Sequence, residues 1–272
     1  MKGRAMAVLA LAIPVLAGLA YLWTFDAPSS YLAVNGGSLV LAAVWIALAP
    51  PQGGTVVRRV LLMCTLVLLF VPLLTGPAID GVARWLPLGP VTLHAGMLMV
   101  PLLVVLLGKE PEYAPALLSV ALLAAFLQPD MATGAALMLA AFGLYDATKD
   151  WRYGAFAAVA FVISLVAAIQ GELPPQPFVE RVIFLLARTD PVGALGLLVA
   201  LVASFFLMAS AVPGPDASRK ALAGSLFGFC FAGIVSNYPS ALIGYGAAPI
   251  LGYGLALGYL CAKNRDGPAF SR

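Results

Sequence analysis

Apolar and polar positions in this chain fall into long blocks and show no helical or strand period. Apolar runs cover 5–24, 31–49, 60–79, 91–108, 113–128, 131–147, 153–170, 192–212, 221–236 and 240–262. Charged residues collect in the short segments between them. A helix crossing a bilayer takes ~17–25 mostly apolar residues. The pattern therefore predicts an all-α integral membrane protein of about ten transmembrane helices. Only Gln128-Pro129-Asp130 separates the fifth run from the sixth. That tripeptide either kinks one helix or turns between two, and the combined length of 113–147 favours two short spans.

Composition agrees. The 272 residues are 62% hydrophobic and 10% charged, against about 25% charged in soluble domains. The small net charge of +3 gives no reason to expect nucleic acid as a partner. Cys64, Cys230 and Cys261 lie in or beside apolar stretches without metal-ligand spacing, and an odd set argues against a disulfide framework. A single histidine, His94, cannot build a multi-histidine metal site. Met1-Lys2-Gly3-Arg4 leads an apolar run to about Trp23 with no small-residue cleavage site at its end. It reads as a retained first span rather than a signal peptide. The expected organisation is one polytopic domain over 1–262 and a polar cytoplasmic tail over 263–272.

Orientation follows from loop charge, because Lys and Arg concentrate on the cytoplasmic side. With ten spans and the N-terminus inside, that side holds Lys2, Arg4, Arg58, Arg59, Lys109, Lys149, Arg152, Arg219, Lys220, Lys263, Arg265 and Arg272. The outer side holds Arg84, Arg181 and Arg188. Merging 113–147 into one span would invert every later loop and spoil this asymmetry. Both termini are thus expected in the cytoplasm. The longest outer loop runs from Gln170 to Pro191; after its prolines, Phe178 to Leu186 could form a short interfacial helix.

Three stretches carry more than membrane character. They are Gly81-Val82-Ala83-Arg84-Trp85-Leu86-Pro87-Leu88-Gly89-Pro90, then Gln128-Pro129-Asp130-Met131-Ala132-Thr133-Gly134, then Asn237-Tyr238-Pro239-Ser240 through Tyr245-Gly246-Ala247-Ala248-Pro249. In this order they resemble the SEDS family, the relatives of RodA, FtsW and SpoVE, from about Arg58 to Tyr259. The resemblance implies a ten-span bundle in the bacterial inner membrane. It also implies work in the cell envelope, in cell shape or cell division. The family polymerises lipid II into peptidoglycan, usually beside a class B penicillin-binding protein.

Individual positions divide on whether that activity carries over. Arg84, Trp85 and Gly89 match the first motif, and Gln128, Pro129, Asp130 and Thr133 match the second. Where the family has Gln-Pro-Ser-Glu and a later Lys, this chain has His94-Ala95-Gly96-Met97 and Val100. In the third motif Tyr245 and Gly246 match, with Gly244 and Ala247 in place of serine and glycine. The outer loop is too short for both family elements. In one register Asp190-Pro191-Val192-Gly193 matches the element whose Asp is thought to be catalytic. In the other, Leu173-Pro174 through Gly196 matches a later element, and the catalytic Asp is deleted.

The candidate catalytic residue is therefore Asp190, a possible general base toward a sugar hydroxyl. Thr189-Asp190-Pro191 equally reads as a helix cap needing no chemistry. Candidate substrate-binding residues are Arg84, Asp130, Arg181 and Arg188, the arginines because guanidinium forks match phosphate oxygens. Capping also accounts for Asp130, and lipid headgroups or Asp80, Glu172 and Glu180 could hold the arginines. No cofactor or metal cluster is evident, although a divalent cation could bridge diphosphate and carboxylate. The replaced motif charges favour a non-catalytic subunit or scaffold that binds another membrane protein or lipid. The alternative is a glycosyltransferase polymerising a polyprenyl-diphosphate-linked sugar. A transporter is weaker, since acidic residues inside the spans are nearly absent.

Overall fold

A computed structural model describes residues 2–89, 91–171 and 173–263. Glu172, Arg265, Arg272 and the tail from 264 onward lie outside the described residues. The chain is helical nearly throughout. In order, the elements are α1 (Lys2–Thr24), α2 (Ser29–Leu48), α3 (Thr55–Phe70), the short α4 (Pro72–Thr75), β1 (Trp85–Leu88) and β2 (Val91–His94). There follow α5 (Ala95–Leu107), α6 (Ala114–Leu127), α7 (Met131–Thr148), α8 (Trp151–Gln170), α9 (Val182–Thr189), α10 (Pro191–Phe206), α11 (Asp216–Val235) and α12 (Ala247–Cys261). A π-helical turn, Leu207–Ala211, extends α10.

This is a multi-pass helical membrane protein. Among the described residues six helices are long and apolar enough to cross a bilayer unaided, and α5, α6 and α12 are shorter apolar helices. Polar residues set several boundaries. Asp130, Asp150 and Asp190 accept backbone N–H bonds at the starts of α7, α8 and α10. Each satisfies a donor that the first helical turn leaves orphaned. Gln128-Pro129-Asp130 is a turn between α6 and α7, so the two helices are separate.

The centre of the bundle is α5, buried on nearly every face from Ala95 to Leu107. Around it pack α12, α7, α11 and α3. Small residues let these backbones approach. A Cβ on Gly224 or Gly228 of α11 would collide with the backbone of Leu139 or Ala135 and Ala136 in α7, and one on Gly252 would meet the Met97 and Leu98 carbonyls of α5. Leu48, Val56, Ile169 and Val192 are exposed, as lipid-facing side chains would be.

Hydrogen bonds sort the loops into two ends. At one end Arg4 donates to the Ala47 carbonyl, Lys109 to Gln52, and Gln52 to the Tyr259 carbonyl at 2.7 Å. Arg58 and Arg59 meet Glu110 there, and Lys149 and Lys220 meet Asp146. These basic residues are ones assigned to the cytoplasmic side by charge. At the other end strands β1 and β2, the segment from Leu173 to α9, and the segment from Ser236 to Gly246 fold over the bundle. Glu180 bridges Pro239 through its backbone, and the Ser240 amide donates to the Val179 carbonyl at 2.8 Å.

Several span boundaries differ from the apolar runs, the run 221–236 for one being helical from Asp216. The run 91–108 opens as strand β2 and becomes helical only at Ala95. The run 240–262 opens as an irregular segment and becomes helical at Ala247. The run 60–79 is shifted toward the N-terminus, because helix begins at Thr55 and ends with α4 at Thr75. Hydropathy registers apolar character alone; Ala241 to Ile243 are buried in protein, whereas Pro77 to Ile79 are exposed. Non-helical backbone at membrane depth is tolerated only where it is buried in protein or beside a cavity. The stretch 178–186 expected as an interfacial helix is observed as α9, beginning at Val182.

Candidate functional site: an outer cavity over Arg84

The shortness of α5 and α12 leaves room at the outer end. A cavity of about 270 Å³ occupies it, lined by Arg84, Trp85, His94, Met97, Glu180 and Tyr245 among others. All three sequence motifs meet nearby.

Arg84 precedes β1 and is only 1% exposed. Its carbonyl accepts the Ala95 N–H at 3.0 Å, which ties the hairpin to the start of α5. Its guanidinium lies 4.4 Å from the ring centre of Tyr238 and 5.0 Å from that of Trp85. Nη1 donates to the Gly171 carbonyl at 3.4 Å. Nε is buried without a hydrogen-bond partner. A buried cation held mainly by aromatic faces and one long hydrogen bond retains capacity for an anion.

Glu180 is the carboxylate of the cavity. It is buried, and Oε2 accepts the Gln176 N–H at 2.5 Å. Burial raises its pKa above the ordinary carboxylate value, while the Gln176 hydrogen bond and the charge of Arg84 draw it partly back. From the sequence alone Glu180 is no more than a counter-ion for an outer arginine. Its signal was a lone carboxylate within an apolar outer stretch, beside Arg181.

His94 caps α5, with Nδ1 accepting the Met97 N–H at 3.3 Å. The neutral tautomer consistent with that bond carries its proton on Nε2. Nε2 points at Asp130 Oδ2, 3.5 Å away. Asp130 is itself buried, accepting from the Thr133 N–H at 3.1 Å and the Thr133 hydroxyl at 2.5 Å. The Tyr238 hydroxyl accepts the Met131 N–H at 3.0 Å and donates to the Pro129 carbonyl at 3.4 Å. Burial, then the charge of Asp130, pushes the Tyr238 phenol up to about 12. Tyr238 thereby joins the Gln-Pro-Asp turn to Arg84. On the far side Asn35 donates to the Gly244 carbonyl and accepts the Gly246 N–H, at 2.9 and 3.0 Å. Those bonds fix the entrance to α12. Tyr245 stacks on Tyr31 with ring centres 3.6 Å apart.

The remaining candidates lie elsewhere. Arg181 opens α9 with left-handed backbone, and Arg181 and Arg188 both lie over Phe184, at 4.9 and 4.7 Å. Neither lines the cavity with Arg84. Asp190 accepts the Gly193 N–H at 2.9 Å as the N-cap of α10, and it too is absent from the cavity lining. Asp130 reaches the cavity only through His94. Met97 and Val100, at the positions where the family has its Glu and Lys, are completely buried. Among the described residues no group of three or more His, Cys, Asp or Glu is assembled that could hold a metal ion.

A scan of protein-family models found no match to the sequence, and a search of curated proteins found none. Solved structures do match. An aspartate-to-alanine mutant of Thermus thermophilus rod shape determining protein RodA superimposes with a TM-score of 0.69 at 19% identity, over 96% of each chain. The RodA structure without that mutation gives 0.66 at 21% identity, over 94% of this chain and 95% of that one. A chain from a peptidoglycan synthase complex, described for coordination of polymerization and crosslinking, gives 0.61 at 20% identity, over 93% and 96%. The fold is thus that of RodA across nearly the whole chain, as the three motifs led one to expect.

Proposed function

We propose that this chain is a divergent SEDS-family protein of the bacterial inner membrane that acts as a non-catalytic subunit, binding another membrane protein through its RodA-like bundle. The observation that carries this reading is the placement of Asp190. Its carboxylate is engaged as the cap of α10 and stands apart from the cavity that holds Arg84. Two further features support it. Met97 puts an apolar side chain in the cavity wall and Val100 one in the core, where the family pattern carries charge. The cavity of about 270 Å³ falls below the ~300–1,000 Å³ of sites for drug-sized ligands, and a lipid-linked disaccharide with its acceptor needs more. The family's partner, a class B penicillin-binding protein, is the first to try, and the peptidoglycan synthase complex among the similar structures makes such an assembly reasonable.

A second reading stands on Arg84 and Glu180. A buried arginine with an unpartnered Nε beside a carboxylate of raised pKa is suited to hold a diphosphate and to take a proton. In a polymerase of this kind Glu180, rather than Asp190, would be the base. A divalent cation could then bridge the diphosphate and Glu180.

One experiment separates these readings. Purified protein, alone and with the candidate partner, is given lipid II, and glycan chains are resolved on gels beside Asp190→Ala and Glu180→Gln. The non-catalytic reading expects partner co-purification and no product from any form. Product lost in either variant overturns it.

A further inference from the structure

Three apolar grooves open on the sides of the bundle near the end rich in basic residues. One of about 330 Å³ lies between α3 and α6, one of about 400 Å³ between α6 and α8, and one of about 340 Å³ among α7, α10 and α11. Each has a cationic side chain at its mouth: Arg59, Arg152 and Lys220 respectively. The grip on each cation distinguishes them, since Lys149 and Arg219 share the carboxylates that hold Lys220 and leave that groove a surplus positive charge as well. Arg152 is matched by Asp150 at 2.6 Å. Lys220 is held by Asp146 and Asp216 at 2.7 and 2.8 Å.

The α3–α6 groove differs. Arg58 and Arg59 share one carboxylate, Glu110, so the mouth carries a surplus positive charge. Arg58 is the firm partner, at 2.6 Å with a side chain 16% exposed. Arg59 sits at 3.3 Å with a side chain 55% exposed, its guanidinium 5.3 Å from the ring centre of Tyr113. Glu110 feels some upward push from desolvation, but the hydrogen bonds from both arginines win and lower its pKa, so it stays ionised. Below the mouth the walls are Leu62 and Met63 of α3 and Ala116 and Leu117 of α6. An exposed arginine and a tyrosine at the head of an apolar channel match a phosphate with an acyl chain beneath it. The positive-inside pattern puts this end in the leaflet where anionic lipids concentrate.

We propose that the α3–α6 groove binds one anionic phospholipid from that leaflet, its phosphate on Arg59 and Tyr113 and an acyl chain along Leu62, Met63, Ala116 and Leu117. The site lies at the opposite end from the Arg84 cavity and stands whether or not the protein is catalytic.

The test is native mass spectrometry of the full chain in detergent with added phosphatidylglycerol or phosphatidylcholine. Wild type should retain one phosphatidylglycerol in preference to phosphatidylcholine. Arg59→Gln should lower that retention about fivefold, the share of one surface cation acting on an anionic lipid. Ala116→Phe, at an exposed position, should fill the channel and lower retention of both lipids without lowering the melting temperature. Arg152→Gln, at the charge-balanced groove, should bind as wild type does. Equal retention of the two lipids by wild type overturns the proposal. So does unchanged retention in both Arg59→Gln and Ala116→Phe.

Discussion

Asp130 and Asp190 each stand one residue ahead of a helix, and each accepts the backbone N–H three residues on. Their surroundings differ, so replacing them should cost different amounts. Asp190 is half-buried and makes only the capping bond recorded for its side chain. Asp190→Ala should therefore cost about 1 kcal/mol, the usual worth of a cap. Asp130 is 1% exposed and also accepts from the Thr133 hydroxyl while facing His94 Nε2. Asp130→Ala removes the cap, the acceptor of the Thr133 hydroxyl and the charge facing buried His94 Nε2, which has no hydrogen-bond partner of its own, and this costs a further ~1–3 kcal/mol. The Thr133 hydroxyl can rotate toward a helix carbonyl, which discounts its share. The expected loss for Asp130→Ala is about 2–4 kcal/mol. Thermal unfolding in detergent reads the difference: on the scale of soluble domains, each kcal/mol moves the midpoint by about 2–4 °C. Asp130→Asn should recover the capping share, because an amide oxygen still accepts from the Thr133 N–H. If Asp190→Ala melts as low as Asp130→Ala, the buried network is not what distinguishes the two, and the argument fails.

Three further outcomes are expected. Glu180 has a folded pKa above the unfolded value of 4.5, so the folded state keeps its proton to higher pH and loses stability as pH rises between the two values. Glu180→Gln should therefore melt higher than wild type above the folded pKa, with the gap closing below 4.5 in a pH series of melts. Gly228→Ala should destabilise, because a Cβ there collides with the α7 backbone, whereas Gly37→Ala, with open space around it, should be neutral or gain ~0.5–1 kcal/mol, as paired melts would show. Arg84→Lys should lower the melting midpoint by the equivalent of about 1–2 kcal/mol, since an ammonium cannot replace the planar guanidinium over Trp85 and Tyr238.

Much of the fold was legible because a bilayer leaves few solutions. A run such as 153–170 has no stable placement except as a lipid-facing or buried helix, and α8 occupies it. The separation of α6 from α7 was legible in Gln128-Pro129-Asp130 and in the loop charges. The β1–β2 hairpin was not, because Val91-Thr92-Leu93 is as apolar as the helix it precedes and only its pairing with Leu86, Pro87 and Leu88 makes it a strand. At the site, Arg84 was found through its motif. Glu180 was not, because its role depends on burial beneath the Ser236–Gly246 segment, a relation between distant parts of the chain. That Arg181 and Arg188 lie over Phe184 and away from Arg84 was not legible, because it depends on how α9 folds.

The short central helix has a consequence for how the protein is made. At 13 residues, α5 measures about 20 Å, some 10 Å less than a hydrocarbon core. The full run 91–108 is long enough to enter the bilayer as a continuous helix when it leaves the insertion machinery alone. In the finished molecule its first residues, Val91 to His94, are paired as a strand with β1. Trp85–Leu88 precedes this run in the chain, so the strand partner is already in place when the run inserts. With its outer end non-helical, the span leaves backbone groups that the hairpin and the packed neighbours must satisfy, so the innermost helix is stable only inside the assembled bundle.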